Sequence, residues 1–201
     1  MSDALRTVLS IVGPLIAALG FLPYLKETIS GKVRPRIASW ASWTLVTGIA
    51  TIAALSEHAY TSAFLTGIAT VIEGSILIMA LRKGDYDYNW IDGTSQAISL
   101  VGIVAWLTTS NAAWAIIFNI IADFFGAVPT FYHSWIAPHD ESWKPFILSG
   151  IGASVSFLAV QEIGFVTAGF PIYLALVGYA LGLNIYFRQK QVPDKAAKAT
   201  K

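Results

Sequence analysis

The stretch GFLPYLKETISGKVRPRIASWASW, residues 20–43, starts apolar, breaks at Pro23, passes five charged side chains and turns apolar again at Trp40 and Trp43. A second stretch of the same design, GAVPTFYHSWIAPHDESWKPFILS, occupies residues 126–149. With Pro23 set over Pro129, both read Gly-x-x-Pro at the end of a hydrophobic run. A charged hinge with its own proline follows, and then a run that opens on an aromatic residue, Trp40 or Phe146.

The surrounding composition fixes the class. Of 201 residues 55% are apolar and 12% are charged, where soluble domains carry about 25% charged residues. That balance reads as an all-α integral membrane protein. The absence of cysteine excludes a disulfide framework and a Cys-based metal site. A net charge of +1 gives no sign of nucleic-acid binding; the placement of the basic residues carries the information instead. The opening MSDALRTVLSIVGPLIAALGFLP lacks a small-residue cleavage site followed by a polar region, so it reads as a retained first span.

A hydrocarbon core about 30 Å thick needs about 20 mostly apolar residues per helix. Seven runs meet that need, at 6–25, 36–55, 62–81, 90–109, 112–132, 143–161 and 168–187. The fourth is the most polar. With seven spans, the first, third and fifth loops share a side with the C-terminus, and of the 13 Lys and Arg only Arg6 falls off that side. Cytoplasmic loops collect basic residues, so the expected orientation is N-terminus outside and C-terminus in the cytoplasm.

The offset from Pro23 to Pro129 places span one over five, two over six and three over seven, with span four unpaired. An odd number of helices between the copies makes them parallel repeats. The expected organisation is a first triple-helix repeat at 1–84, a linker helix at 85–110, a second repeat at 111–188 and a disordered basic tail at 189–201.

These residues resemble the PQ-loop superfamily, in which two modules around a linker helix make the seven-helix, 3+1+3 SWEET-type transporter fold. FLPYLKETISGK resembles the first half of a PQ-loop, with Tyr24 at the place of the glutamine. TGIATVIEGSIL, residues 66–77, is similar to the SWEET third helix, with Gly67 and Glu73 in matching places, and KPFILS from Lys144 resembles the start of the sixth. RPxxASWxxW and GAxPT resemble bacterial members, which implies a bacterial or archaeal cytoplasmic membrane. The asparagines that hold sugar in SWEET transporters are replaced by Thr66 and Ile172. Other PQ-loop exporters use membrane-buried aspartates with proton coupling, which is similar in kind to this chain.

Two carboxylates fall deep within the runs, Glu73 and Asp123, and intramembrane acids face cavities more often than lipid. Asn119 lies four residues before Asp123 on the same helix face. Trp40 and Trp43, continued by Thr44 and Thr47, form a face that fits either the opposite wall of a substrate site or an aromatic belt at the inner interface. Thr66 joins this candidate set through the resemblance. Pro23 and Pro129 are candidate hinges or gates, each preceded by a glycine three residues earlier, Gly20 or Gly126. His133, His139 and Asp140 lie on an inner loop without helical register and make a weak metal site. No nucleophile, base and orienting group stand at usable spacing, so neither enzyme chemistry, a cofactor nor a metal is expected. The expected function is a carrier for a small polar solute such as a sugar, amino acid or related metabolite, with or without proton coupling, held in the lipid bilayer as a monomer or a homo-oligomer. The alternative is a membrane receptor or scaffold, resembling the retrieval receptor for escaped lumenal proteins.

Overall fold

The computed structural model describes residues 1–83 and 88–193; residues 84–87, at the expected linker boundary, and 194–201 of the expected tail lie outside the described residues. Among the described residues there is no strand. Eight α-helices run α1 (Asp3–Leu19), α2 (Leu22–Ile29), α3 (Ile37–Ser56), α4 (Tyr60–Lys83), α5 (Trp90–Thr108), α6 (Ala112–Ile136), α7 (Trp143–Leu158) and α8 (Phe165–Gln191), with a 3-10 turn at Pro138–Asp140.

Local chemistry sets the ends. Ser2 caps α1 by accepting from the Leu5 amide. Helix α1 stops at Gly20, and α2 restarts with Pro23 in its first turn, where a missing N–H costs nothing. The turn after α2 needs a left-handed residue and has Gly31 at φ 75°. Asn89 and Asp92 make a reciprocal capping box at the start of α5, and Asn111 caps α6. In α3, Thr44 and Thr51 each donate to the carbonyl four residues earlier, which satisfies hydroxyls in apolar surroundings.

Five segments are long and apolar enough to cross a membrane: Asp3–Ile29, which joins α1 and α2, together with α3, α4, α6 and α8. Helix α5 opens on the polar turn that made its run the weakest in the sequence. Helix α7 has 16 residues, about 24 Å at 1.5 Å each, and ends three residues before the expected boundary. Helix α8 continues to Gln191, so the tail does not begin at residue 189 as expected.

Packing closes six helices into a ring. Helix α4 packs on α3, α3 on α6, α6 on α8, α8 on α7, α7 on α1, and α1 with α2 back on α4. Helix α5 lies outside it, against α3 and α6. The α1–α7 contact is the tightest, because a Cβ on Gly152 would sit 2.5 Å from the Gly13 carbonyl oxygen. Small residues let helix backbones approach in this way, and the approach itself supplies the attraction.

The two prolines differ locally. Pro23 is exposed at the restart after a break, whereas Pro129 is buried inside α6, which passes through it without interruption. Two further expectations are corrected. Glu73 and Asp123 stay the two carboxylates deep within the runs, but they are not the only ones shielded from the surroundings. Asp92 and Glu141 are also buried, because each has a partner that the sequence did not reveal. Arg36 of the basic hinge is buried against Asp92, to whose Oδ2 its Nη2 donates, so the hinge charges do more than set topology. His133 belongs to the last turn of α6 rather than to a loop, with its Nε2 3.5 Å from Asp140 Oδ2.

Candidate functional site

The ring encloses a cavity of about 440 Å³ to which all six of its helices contribute and α5 does not. Its walls reach from exposed Ser10 and Ser62, near the end that carries the N-terminus, down to Glu73 and Asp123. A smaller cavity of about 90 Å³ lies beneath and shares Phe21, Glu73, Asp123, Ser149 and Leu174 with the first. The two carboxylates therefore sit at the floor of the main chamber.

Each carboxylate is oriented by a hydroxyl from a neighbouring helix. Thr47 of α3 donates to Glu73 Oε2 at 2.7 Å, and Tyr173 of α8 donates to Asp123 Oδ2 at 2.7 Å. Hydrogen bonds to an ionised or ionisable acceptor are the stronger kind, so both side chains are held rather than free to sweep the cavity. Asn119, one turn above Asp123, presents a buried Oδ1 that has no hydrogen-bond partner. Thr66, Thr70 and Thr51 form a hydroxyl cluster between α3 and α4, and Thr66 also lines the chamber.

Towards the other side the ring is plugged. Trp40 and Tyr24 are fully buried and Phe146 nearly so. Their rings meet Phe21 and Trp43 at centroid distances from 5.2 to 6.3 Å. Aromatic pairs in such edge and tilted arrangements add to area burial. Trp40 and Trp43 are consequently part of the plug and line only the small lower cavity; they are not an interfacial belt. Glu141, in the loop after α6, accepts from the Tyr24 hydroxyl at the base of the plug. Burial pushes its carboxyl up to about 8. Beyond the plug a polar recess of about 590 Å³ is lined by Lys32, Arg34, Asp140, Lys144 and Gln189 among others. The Asp140 carboxyl there is held low by the hydrogen bond from His133.

Of the residues singled out in the sequence, Asn119, Asp123, Glu73 and Thr66 meet in one chamber. Trp40 and Trp43 lie below it, and Pro23 and Pro129 line neither cavity. His139 turns away from His133 to bond the Val192 carbonyl. Tyr173 and Glu141 escaped the sequence reading, and Tyr24 entered it only as the residue at the place of the PQ-loop glutamine. An acid placed next to a repeat proline's loop was the available signal for Glu141, while Tyr173 carries none, since tyrosine is common in membrane helices. Comparison with family models, characterised proteins and solved structures finds no match to this chain.

Proposed function

We propose that the chain is a membrane carrier for a small polar solute, working by alternating access with Asp123 and Glu73 at its site. One observation carries this reading: a chamber built by six ring helices reaches one side, ends at two oriented carboxylates, and is closed from the opposite recess by a plug of side chains. Parallel-repeat transporters place their sites at the repeat interface near the midplane.

Contacts related by the repeat offset support the 3+1+3 reading, with α5 and α7 counted as crossings. Gly20 abuts Leu148 where α1 meets α7, and Gly126 abuts Ser42 where α6 meets α3. The Pro23-to-Pro129 offset carries Gly20 of the first pair to Gly126 of the second, and Ser42 of the second to Leu148 of the first. Lys83 donates to the Ile29 carbonyl, and Arg188 donates to the Trp135 carbonyl at 2.9 Å, again equivalent acceptors. In each set the third helix packs between the first and second. Together with the PQ-loop resemblance, these support two modules that rock about the α1–α7 and α3–α6 seams. The recess side, which holds nearly all basic residues, is then cytoplasmic. A reporter after Lys201 should read the cytoplasm and one before Ser2 the exterior.

The experiment is uptake into proteoliposomes across a panel of sugars, amino acids, nucleosides and amines. Passage of one class above protein-free liposomes supports the carrier. A chain that binds a solute and passes none is the receptor or scaffold instead.

A further inference from the structure

The carrier reading leaves the solute's chemistry open, and the chamber narrows it. Glu73 comes from α4 and Asp123 from α6, so each three-helix set supplies one acid to the same floor. Both line the chamber and the small cavity beneath it. Among the described residues, no Lys, Arg or His lines either the chamber or the small cavity beneath it. Thr47 and Tyr173 each occupy one oxygen of a carboxylate, and the second oxygen of each has no protein donor. Asn119 Oδ1 is a further buried acceptor without a partner. The Thr66 hydroxyl is engaged with Thr51 and the Ser62 carbonyl. The floor thus offers two carboxylates and an amide oxygen as acceptors, together with negative charge.

We propose that the occupant is a small organic dication, a short diamine whose two ammonium ends are taken by Glu73 and Asp123, with Asn119 accepting from the end beside Asp123. This rests on the carrier reading and deepens it. With a neutral polyol both acids would have to be neutralised by protons, and with a monocation one of them, whereas a dication lets both stay charged and paired, the state in which intramembrane charges persist. Its ammonium groups donate N–H to the acceptor oxygens of the floor. A chamber of about 440 Å³ is within the range of small-molecule sites. Charge balance follows. The empty floor becomes neutral by binding two protons and the loaded floor by binding one dication, so exchanging the diamine for two protons moves no net charge. Bringing acids from both sets to one ligand also ties the two modules together only when both ends are filled.

The test is equilibrium binding to the purified full chain in detergent, with putrescine as diamine, butylamine as its monocationic counterpart, and glucose. Putrescine should bind roughly tenfold or more tightly than butylamine, as one additional charge-assisted bond implies. Glu73→Gln and Asp123→Asn should each bring the two amines to near-equal affinity. That ratio is internally referenced, so partial misfolding cannot imitate it. Equal binding of both amines by the wild type, an unchanged ratio in both variants, or displacement of nothing by amines while glucose or a divalent metal ion binds would overturn the proposal. Diamine binding with no passage into proteoliposomes would sustain this site and refute the carrier. Passage of a neutral solute without amine binding would do the reverse.

Discussion

The Tyr24 hydroxyl donates to Glu141 Oε2 at 2.6 Å, joining two buried side chains 117 positions apart. Tyr24 belongs to the first charged hinge and Glu141 to the second, so this one bond ties the two halves where the chamber is plugged. Under the carrier proposal this cluster is the inner gate, and a buried hydrogen bond among packed rings suits a closure that must also open.

Tyr24→Phe removes the donor and leaves a buried carboxyl oxygen unsatisfied, which costs on the order of 1–3 kcal/mol. Thermal unfolding in detergent should show that loss, and the plug should leak small thiol reagents from the recess side to cysteine variants on its chamber side. An unchanged midpoint with a tight plug would mean that the rings alone close the gate.

The same pair predicts a pH response. Burial raises the Glu141 carboxyl to about 8, with Asp140 adding to the rise while the Tyr24 hydrogen bond and Arg36 oppose it. Folded Glu141 therefore keeps a proton that the unfolded chain gives up at the ordinary carboxylate range. Its contribution to the closed state is complete below that range and is lost as pH rises towards about 8. Melting midpoints should fall across this window, and Glu141→Gln should flatten that part of the profile while keeping an acceptor for Tyr24. A midpoint that rises with pH, or a Glu141→Gln profile like the wild type's, would contradict the assignment.

Much of the ring was legible before any coordinates. Alternating apolar runs and the paired Gly-x-x-Pro stretches gave the helix order, because burial in lipid demands long apolar segments whatever their partners. Asn119, Asp123 and Glu73 could be grouped because a charge in such a run needs a reason to be there. The partners of Arg36 and Glu141 could not, since Asp92 and Tyr24 lie far away in sequence and ordinary helix-end chemistry already explains an acid at the third position of α5. The plug role of Trp40 was hidden for a similar reason: its distance along the helix fits an interface, and only the arrival of Phe21, Tyr24 and Phe146 makes it interior.

Arg36 and Asp92 anchor the start of α5 to the start of α3. Removing one partner of a buried pair strands the other, at a cost of roughly 3–5 kcal/mol, whereas replacing both with apolar residues is often neutral. Arg36→Met alone should lower the melting midpoint sharply, and Arg36→Met with Asp92→Leu should recover most of it. A double variant no better than the single one would show that Arg36 acts through other partners.

The α1–α7 seam depends on missing side chains. Gly152→Ala would place a methyl 2.5 Å from the Gly13 carbonyl oxygen, while Gly48→Ala would meet nothing closer than 3.6 Å. Overpacking of this kind costs about 1–3 kcal/mol, so Gly152→Ala should destabilise the protein and Gly48→Ala should not. Equal melting midpoints for the two variants would refute the close contact.

The two repeat prolines should separate. In α6, Pro129→Ala loses about 1–2 kcal/mol of apolar burial and relieves the ~3 kcal/mol cost of a proline inside a helix. The net expectation is a stabilised protein with a stiffer helix and slower transport. Pro23→Ala, at a first turn where no such cost exists, should slow transport with little change in stability. Joint loss of folded protein and transport in both variants would return the prolines to a purely structural role.

Alternating access is tested most directly at Ser149, which lines both the chamber and the small cavity beneath it. The chain has no cysteine of its own, so Ser149→Cys introduces a single reporter thiol. A membrane-impermeant thiol reagent, applied separately to each face of oriented vesicles, reads which side reaches it. The carrier account predicts labelling from the N-terminal side with the plug closed, and labelling from the recess side in a fraction of molecules that changes when solute is added. Labelling from one side only, under every solute and pH condition, would contradict the account and leave a one-sided receptor.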